Sequence, residues 1–304
     1  MLTLNSQPTA IAVGRFAPSP SGPLHFGSLL AAVGSYLITK QQAGSWLLRI
    51  EDIDTPRVRP GADSAIMHAL EQHGLLWDGT VIYQSQRLER YNDVFTQLQQ
   101  RGLLYGCKCS RKQISASGGL YPGTCAALEL TPANGELLSW RLHAAGVACH
   151  FTDLLLGLQH ISPELAREDY ILRRRDGLFS YQLAVVVDDL DQGITEVIRG
   201  ADLLSMTPRQ QHLFLLLGAT APRYGHLPLA VTAPGHKLSK QNHATALHNW
   251  PVSYTMARAL AILGLLLPPD LQQAPPVEQL AYALLHWRPA DIPAAREVLT
   301  SDFG

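Results

Sequence analysis

The chain has 304 residues, of which 46% are hydrophobic and 16% charged, with a formal net charge of −1. That balance suits a globular protein with a substantial core and excludes a disordered or fibrous chain. A net charge so close to zero neither requires nor rules out a nucleic-acid partner, because only its local distribution matters.

Residues 1–10 are polar and contain a proline, so no secretory signal is expected there. Residues 11–16 read as a short buried strand and 25–41 as a helix. Residues 46–50 form a second strand, followed by helices over 61–73 and 86–101. Alternation of this kind implies an α/β fold, a Rossmann-like parallel sheet covered by helices. Arg15 and Glu51 then fall near the carboxyl ends of strands, where open α/β sheets bind ligands. Residues 105–140 are rich in glycine and proline and break the pattern, so an inserted subdomain is expected over 105–166. The catalytic fold, begun in 1–104, resumes over 167–247 with strand and helix signals up to a helix at 208–217. Short helical patterns at 251–265, 276–287 and 291–299 make 248–304 a short helical C-terminal region. The longest apolar run, 259–267, stops at Pro268 and Pro269, too short for a membrane span. The basic run Arg173-Arg174-Arg175 reads as a phosphate contact or, more simply, as a solvated strand end.

Residues 15–28 read RFAPSPSGPLHFGS. Pro18, Pro20 and Pro23 deny this stretch a ladder or helix until Leu24. His25, Gly27 and Ser28 therefore sit at a strand-to-helix junction, where free N–H groups and the positive helix end favour an anion. His25 can donate to a phosphate oxygen, and Gly27 lets a ligand approach the backbone closely. Far along the chain, residues 237–241 read KLSKQ, after Pro234 and Gly235, which signal a loop. Lys237 and Lys240 suit the charge that develops on a leaving pyrophosphate. Either segment alone reads as a turn or a solvated loop; together they describe an ATP site.

Cys107, Cys109 and Cys125 lie in the segment poorest in apolar residues. Thiolates are good zinc ligands, and a tetrahedral site can hold together a segment too polar to fold alone. Tyr121, His143, His150, Cys149 and water are candidates for the fourth ligand. Cys149, within an apolar alternation, reads as a packing residue. With four cysteines and a Cys-x-Cys among them, a reducing, cytoplasmic setting is expected.

The two signature segments resemble the HIGH and KMSKS motifs of class I aminoacyl-tRNA synthetases. The RFAPSPSG form is similar to the glutamyl branch, as are RIEDIDT at 49–55, YQLAVVVDD at 181–189 and VIRGADLL at 197–204. The resemblance spans about residues 11–247 and is closest to the shortened glutamyl-Q tRNA(Asp) synthetase subfamily. It implies ATP with Mg²⁺, L-glutamate and tRNA(Asp) as ligands. It implies a structural Zn²⁺ held by Cys107, Cys109, Tyr121 and Cys125. The usual zinc-bearing glutamyl enzymes end this cluster with a nearby Cys-x-His, which this chain lacks.

Glutamate has two carboxylates and one ammonium. Arg15 and Arg199 supply two cations and Glu51 an anion, and a bidentate arginine prefers glutamate to neutral glutamine. The resemblance assigns Arg15, Ala17, Ser19, Glu51, Tyr181 and Arg199 to glutamate. It assigns His25, Gly27, Ser28, Lys237 and Lys240 to ATP, with His25, Gly27, Lys237 and Lys240 catalytic. The reaction it implies is tRNA-independent formation of glutamyl-adenylate, then transfer to queuosine at the wobble position of the tRNA(Asp) anticodon loop. The stretch from Lys240 to Gly304 is expected to be too short for a full anticodon-binding cage, which favours that acceptor. The rival readings are a short synthetase charging the 3′ end of tRNA(Glu) and a non-catalytic tRNA-binding paralogue. A monomer is expected.

Overall fold

The computed structural model describes residues 11–116, 118–128, 130, 137–237 and 247–300, with residues 236 and 237 described by their backbone alone. Three strands, β1 (Val13–Phe16), β2 (Ser45–Ile50) and β3 (Ile82–Tyr83), form a parallel sheet in that order. They alternate with helices α1 (Phe26–Gln41), α2 (Ala62–Gln72) and α3 (Leu88–Gln100). This is the expected β-α-β-α order, with the two expected strands and three expected helices within a residue or two of their bounds; the two-residue β3 lies outside that expectation.

The next segment runs β4 (Leu104–Cys107), α4 (Arg111–Ala116), β5 (Ser139–Leu142), β6 (His150–Asp153), β7 (Gly157–His160), α5 (Pro163–Ala166) and β8 (Tyr170–Arg173). β4, β5 and β8 form an antiparallel sheet. β6 and β7 form a hairpin. The parallel fold then resumes with α6 (Tyr181–Asp191), β9 (Glu196–Gly200), α7 (Thr207–Leu216) and β10 (Arg223–Leu227), β9 and β10 pairing in parallel. β1 and β9 lie side by side, joined at their base where Thr195 N–H donates to the Val13 carbonyl (2.9 Å) and Val13 N–H donates to Thr195 Oγ1 (2.9 Å).

Period-two alternation on β2 explains the layering. Trp46, Leu48 and Ile50 face the core under α1, while Leu47 and Arg49 face α6. β1 follows the same rule: Phe16 joins the α1 core, whereas Val13 and Arg15 point to the α6 side. Gly14 marks the closest approach of α1 to the sheet. A Cβ there would lie 2.0 Å from Thr39 Oγ1, so any larger residue would push helix and strand apart.

β11 (Leu229–Ala233) leads into β12 (His236–Lys237), which pairs with it antiparallel. Lys237 thus has strand backbone at the edge of the expected loop, while Lys240 and the rest of KLSKQ lie outside the described residues. α8 (Val252–Ile262) and α9 (Pro276–His286) match two of the expected C-terminal helices and pack on α1. The third expectation is corrected. Residues 291–299 are not helical but end in β13 (Glu297–Leu299), parallel to β11. Pro293 interrupts any helix, and the free edge of β11 supplies backbone partners that local periodicity cannot reveal. No described helix is long and apolar enough to cross a membrane.

Candidate active site

A cavity of about 660 Å³ opens at the carboxyl ends of β1, β2 and β9. Arg15, Ala17, Ser19, Glu51, Tyr181 and Arg199 all line it, and so do His25, Gly27 and Ser28. Every expected glutamate- and ATP-site residue whose side chain is described is therefore brought into one space, while the expected metal ligands gather elsewhere. The former come from four separated stretches of sequence.

His25 is the N-cap of α1, in extended backbone, and its Nδ1 accepts from Ser28 N–H at 3.3 Å. Its Nε2 lies 3.1 Å from Ser28 Oγ. The cap and hydroxyl fix the imidazole beside the positive end of a 16-residue helix, a place suited to phosphate.

Arg15 donates from Nε to Asp189 Oδ1 at 3.2 Å, and Arg49 shares that oxygen at 2.8 Å. Both Asp188 and Asp189 belong to α6, and Arg49 is completely buried between them and Glu51. Burial works against ionisation of Asp189, but Arg15 and Arg49 outweigh it and hold its carboxyl below the ordinary range. Among the described residues, the two Nη groups of Arg15 make no hydrogen bond, so its planar fork is available to a ligand in the cavity.

Glu51 is 9% exposed, and its carboxyl is pushed up from an ordinary 4.5 to about 7. Burial is the main cause; Arg49 and Arg15 pull it down, while Asp189 and Asp188 push it up again. An arriving ammonium would stabilise the ionised form.

Arg199 is more constrained than its sequence role suggests. Its five N–H groups reach Tyr181 Oη (3.4 Å), Gln210 Oε1 (2.7 Å), Leu203 carbonyl (3.2 Å), Thr207 Oγ1 (2.9 Å) and His226 Nε2 (3.1 Å). Burial raises the Tyr181 phenol, partly opposed by the Arg199 charge, so Tyr181 stays protonated and able to donate into the cavity. Sequence reasoning missed Asp189, Gln210, Thr207, His226 and Asp153. The signal for Asp189 was present: two carboxylates at the end of the apolar run 183–187 are out of place unless buried cations meet them.

Cys107, Cys109 and Cys125 form the one group of three or more possible metal ligands among the described residues, their sulfurs within 4.8 Å of one another. Cys109 and Cys125 Sγ lie 3.6 Å apart. That is far beyond a disulfide and close to the edge of a zinc–thiolate tetrahedron, about 3.8 Å for Zn–S bonds of about 2.3 Å. Tyr121 Oη accepts from Cys125 N–H at 2.8 Å, which keeps the phenol beside the thiols. The Tyr121 ring lies under Arg141 at 3.7 Å, and Arg141 Nε donates to Cys107 Sγ at 3.3 Å. Burial opposes ionisation of Cys125, yet hydrogen bonds from the Lys108 backbone and neighbouring side chains hold its thiol below the ordinary value. Burial, then the Cys125 hydrogen bond, pushes Cys109 up to about 11. Among the described residues the buried local core is Tyr105, Cys107, Tyr121 and Cys125, with Cys109, Ile114, Ala126 and Leu130 packed against it, a small cluster that a bound zinc ion would reinforce. The donors fit a structural zinc ion. Of the other expected packing residue, Cys149, the structure shows a half-buried side chain against the second core. The basic run is spent on structure. Arg173 lies over the Phe95 and Phe179 rings, Arg174 pairs with Asp54 and Asp176, and Arg175 donates to the Lys108 carbonyl.

Comparison with known proteins agrees with this geometry. The family model described as "tRNA synthetases class I (E and Q), catalytic domain" matches residues 12–119 and 133–263. A protein of Vibrio vulnificus strain YJ016 named glutamyl-Q tRNA(Asp) synthetase is 50% identical over 286 residues, covering 94% of this chain and 93% of that protein. One of Serratia proteamaculans with the same name is 52% identical over 290 residues, covering 95% and 94%. The crystal structure of a glutamate tRNA ligase from Elizabethkingia meningosepticum shares the fold, with a TM-score of 0.77 at 23% identity over 96% of this chain and 67% of that one. The chain belongs to the class I aminoacyl-tRNA synthetases of the glutamyl and glutaminyl group, within the glutamyl-Q tRNA(Asp) synthetase family.

Proposed function

We propose that the protein activates L-glutamate with ATP, without tRNA, and transfers it to queuosine in the anticodon loop of tRNA(Asp). The observation that carries this reading is the single cavity holding Arg15, Glu51 and Tyr181 beside the His25 end of α1. It pairs a carboxylate fork and an ammonium partner with a phosphate site. The family relatives' names supply the acceptor.

A glutamate α-carboxylate oxygen attacks the α-phosphorus of ATP, forming a mixed anhydride as the bond to pyrophosphate breaks. Arg15 holds the side-chain carboxylate, Glu51 the ammonium, and Arg199 acts through Tyr181. Ala17 and Ser19 shape the amino-acid pocket between them. His25, with Gly27 and Ser28, meets the phosphates, and Lys237 and Lys240 stabilise the leaving pyrophosphate. Mg²⁺ bound with ATP would screen the phosphate charge that His25, Lys237 and Lys240 meet. A hydroxyl of the queuosine cyclopentene-diol then attacks the glutamyl carbonyl, giving an ester and AMP. A splayed anticodon loop presents such a base to a cleft of this size. Zinc, held by Cys107, Cys109, Cys125 and Tyr121, would cross-link the segment after β4. The same reading divides the chain into catalytic halves 1–104 and 167–247, an insertion 105–166 and a region 248–304 packed on α1. It takes the protein to be a cytoplasmic monomer.

The test is nuclease mapping of labelled glutamate on queuosine-containing tRNA(Asp), after glutamate-dependent ATP–pyrophosphate exchange without tRNA. Label in the anticodon fragment is expected. Label at the terminal adenosine would make the protein a 3′-end synthetase, and absence of exchange would end the enzymatic reading.

A further inference from the structure

Beneath the cavity, a buried chain of polar groups runs from Tyr181 through Arg199 to His226 and Asp153. His226 and Asp153 are 0% and 2% exposed, and the imidazole Nδ1 lies 2.5 Å from Asp153 Oδ2. On the other side of the ring, Nε2 is 3.1 Å from Arg199 Nε. A carboxylate can only accept, so the proton sits on Nδ1 and Nε2 keeps its lone pair. Arginine has no acceptor and always donates, so the lone pair is what Arg199 requires. His226 belongs to β10, whose last residue Leu227 lines the cavity, and Asp153 ends β6 of the hairpin; neither His226 nor Asp153 lines the cavity itself.

We infer that Asp153 and His226 form a positioning pair that fixes Arg199, and through it Tyr181, for recognition of the amino-acid substrate. This rests on the reading of the cavity as a glutamate site. The pair sets the imidazole tautomer. The tautomer decides whether Arg199 Nε meets an acceptor or a donor. Arg199 Nη1 then presents the Tyr181 hydroxyl to the cavity. The hairpin thereby becomes part of the substrate pocket although Asp153 itself does not line it.

The carboxylate of Asp153 divides its work in a way that makes a clean probe. Its Oδ1 accepts Leu155 N–H (2.9 Å), Leu156 N–H (2.9 Å) and His226 N–H (3.2 Å), while Oδ2 alone faces the imidazole. In Asp153→Asn the amide oxygen keeps the three backbone contacts and the NH₂ turns to Nδ1. The imidazole proton is then driven to Nε2, where it opposes Arg199 Nε–H. His226→Leu removes the acceptor altogether. His226→Gln restores one near the Nε2 position.

The experiment is glutamate-dependent ATP–pyrophosphate exchange, with KM measured separately for glutamate and ATP, and thermal unfolding of each variant. Asp153→Asn and His226→Leu should raise the glutamate KM about tenfold or more, the scale of a misdirected charged hydrogen bond, with the ATP KM within about twofold. His226→Gln should stay within about threefold of the parent. An unchanged glutamate KM in folded Asp153→Asn and His226→Leu overturns the inference. So does a parallel rise in both KM values, which marks a general structural role. If the unaltered protein shows no glutamate-dependent exchange, it is the functional reading that fails. A normal parent with unaffected variants sinks the positioning pair alone.

Discussion

Replacing Glu51 by glutamine separates what the pocket does for the substrate from what it costs the fold. The carboxyl titrates at about 7 instead of 4.5 because it is buried, despite the nearby Arg49 and Arg15. At 1.36 kcal/mol per unit, that shift of about 2.5 corresponds to about 3 kcal/mol of lost stability once the group is ionised above pH 7. The sign follows from proton binding. Between 4.5 and 7 the folded protein holds a proton that the unfolded chain has released, so stability falls as pH rises through that window. Below 4.5 both states are protonated and the penalty is absent. Glu51→Gln should therefore unfold several degrees higher than the parent at pH 8, and near the parent's temperature at pH 5. Its glutamate KM should rise about a hundredfold, since the ammonium loses its anionic partner. In the parent, glutamate KM should be about tenfold higher at pH 6 than at pH 8, because only about a tenth of Glu51 is ionised at the lower pH. The variant should lose that dependence. Thermal unfolding across pH, with exchange kinetics at the same pH values, checks all three. A variant less stable than the parent at pH 8, or equally stabilised at pH 5, would refute the argument from burial.

Two further outcomes follow from the same site. Lys240→Ala should lower the glutamate-dependent exchange rate about a hundredfold, as expected for one lost charge contact on the leaving group, and unchanged exchange would remove Lys240 from the reaction. Chelation, or Cys125→Ser, should release stoichiometric zinc and lower the unfolding temperature, because the small cluster around Tyr105, Cys107 and Tyr121 loses its reinforcement; zinc content by mass spectrometry together with calorimetry reads it.

Most of the catalytic frame was readable from residues in order. β1, α1 and β2 each carry a clean local pattern, and the prolines at 18, 20 and 23 announce the junction at His25. The cavity gathers residues from motifs that the sequence displays as contiguous strings. What local pattern could not convey was partnership. Nothing near Arg199 indicates that its donors are all engaged, because Gln210, Thr207 and His226 reach it only once β9, α7 and β10 are packed. Asp188 and Asp189 read as the polar end of an apolar helix until Arg49 and Arg15 meet them across the sheet. β13 failed for the same reason: three residues with no period of their own become a strand because β11 offers an edge. The four-residue strands of the segment after α3 are likewise held by pairing with neighbours distant in sequence or across a hairpin.

β13 lies beside a strand that leads into the candidate active site. β11 carries Leu229 and Ala230 into the wall of the cavity and continues to Lys237, the first of the two signature lysines. Its outer edge is held by β13, with Leu229 N–H donating to the Arg296 carbonyl (2.9 Å), Thr300 N–H to the Val231 carbonyl (2.9 Å), and Gly235 N–H to Glu297 Oε2 (3.1 Å). Residues near position 300 thus brace the strand that leads to Lys237, more than sixty positions earlier in the chain. On the proposed function, a trimmed end placed there would disturb the strand that leads to the phosphate site.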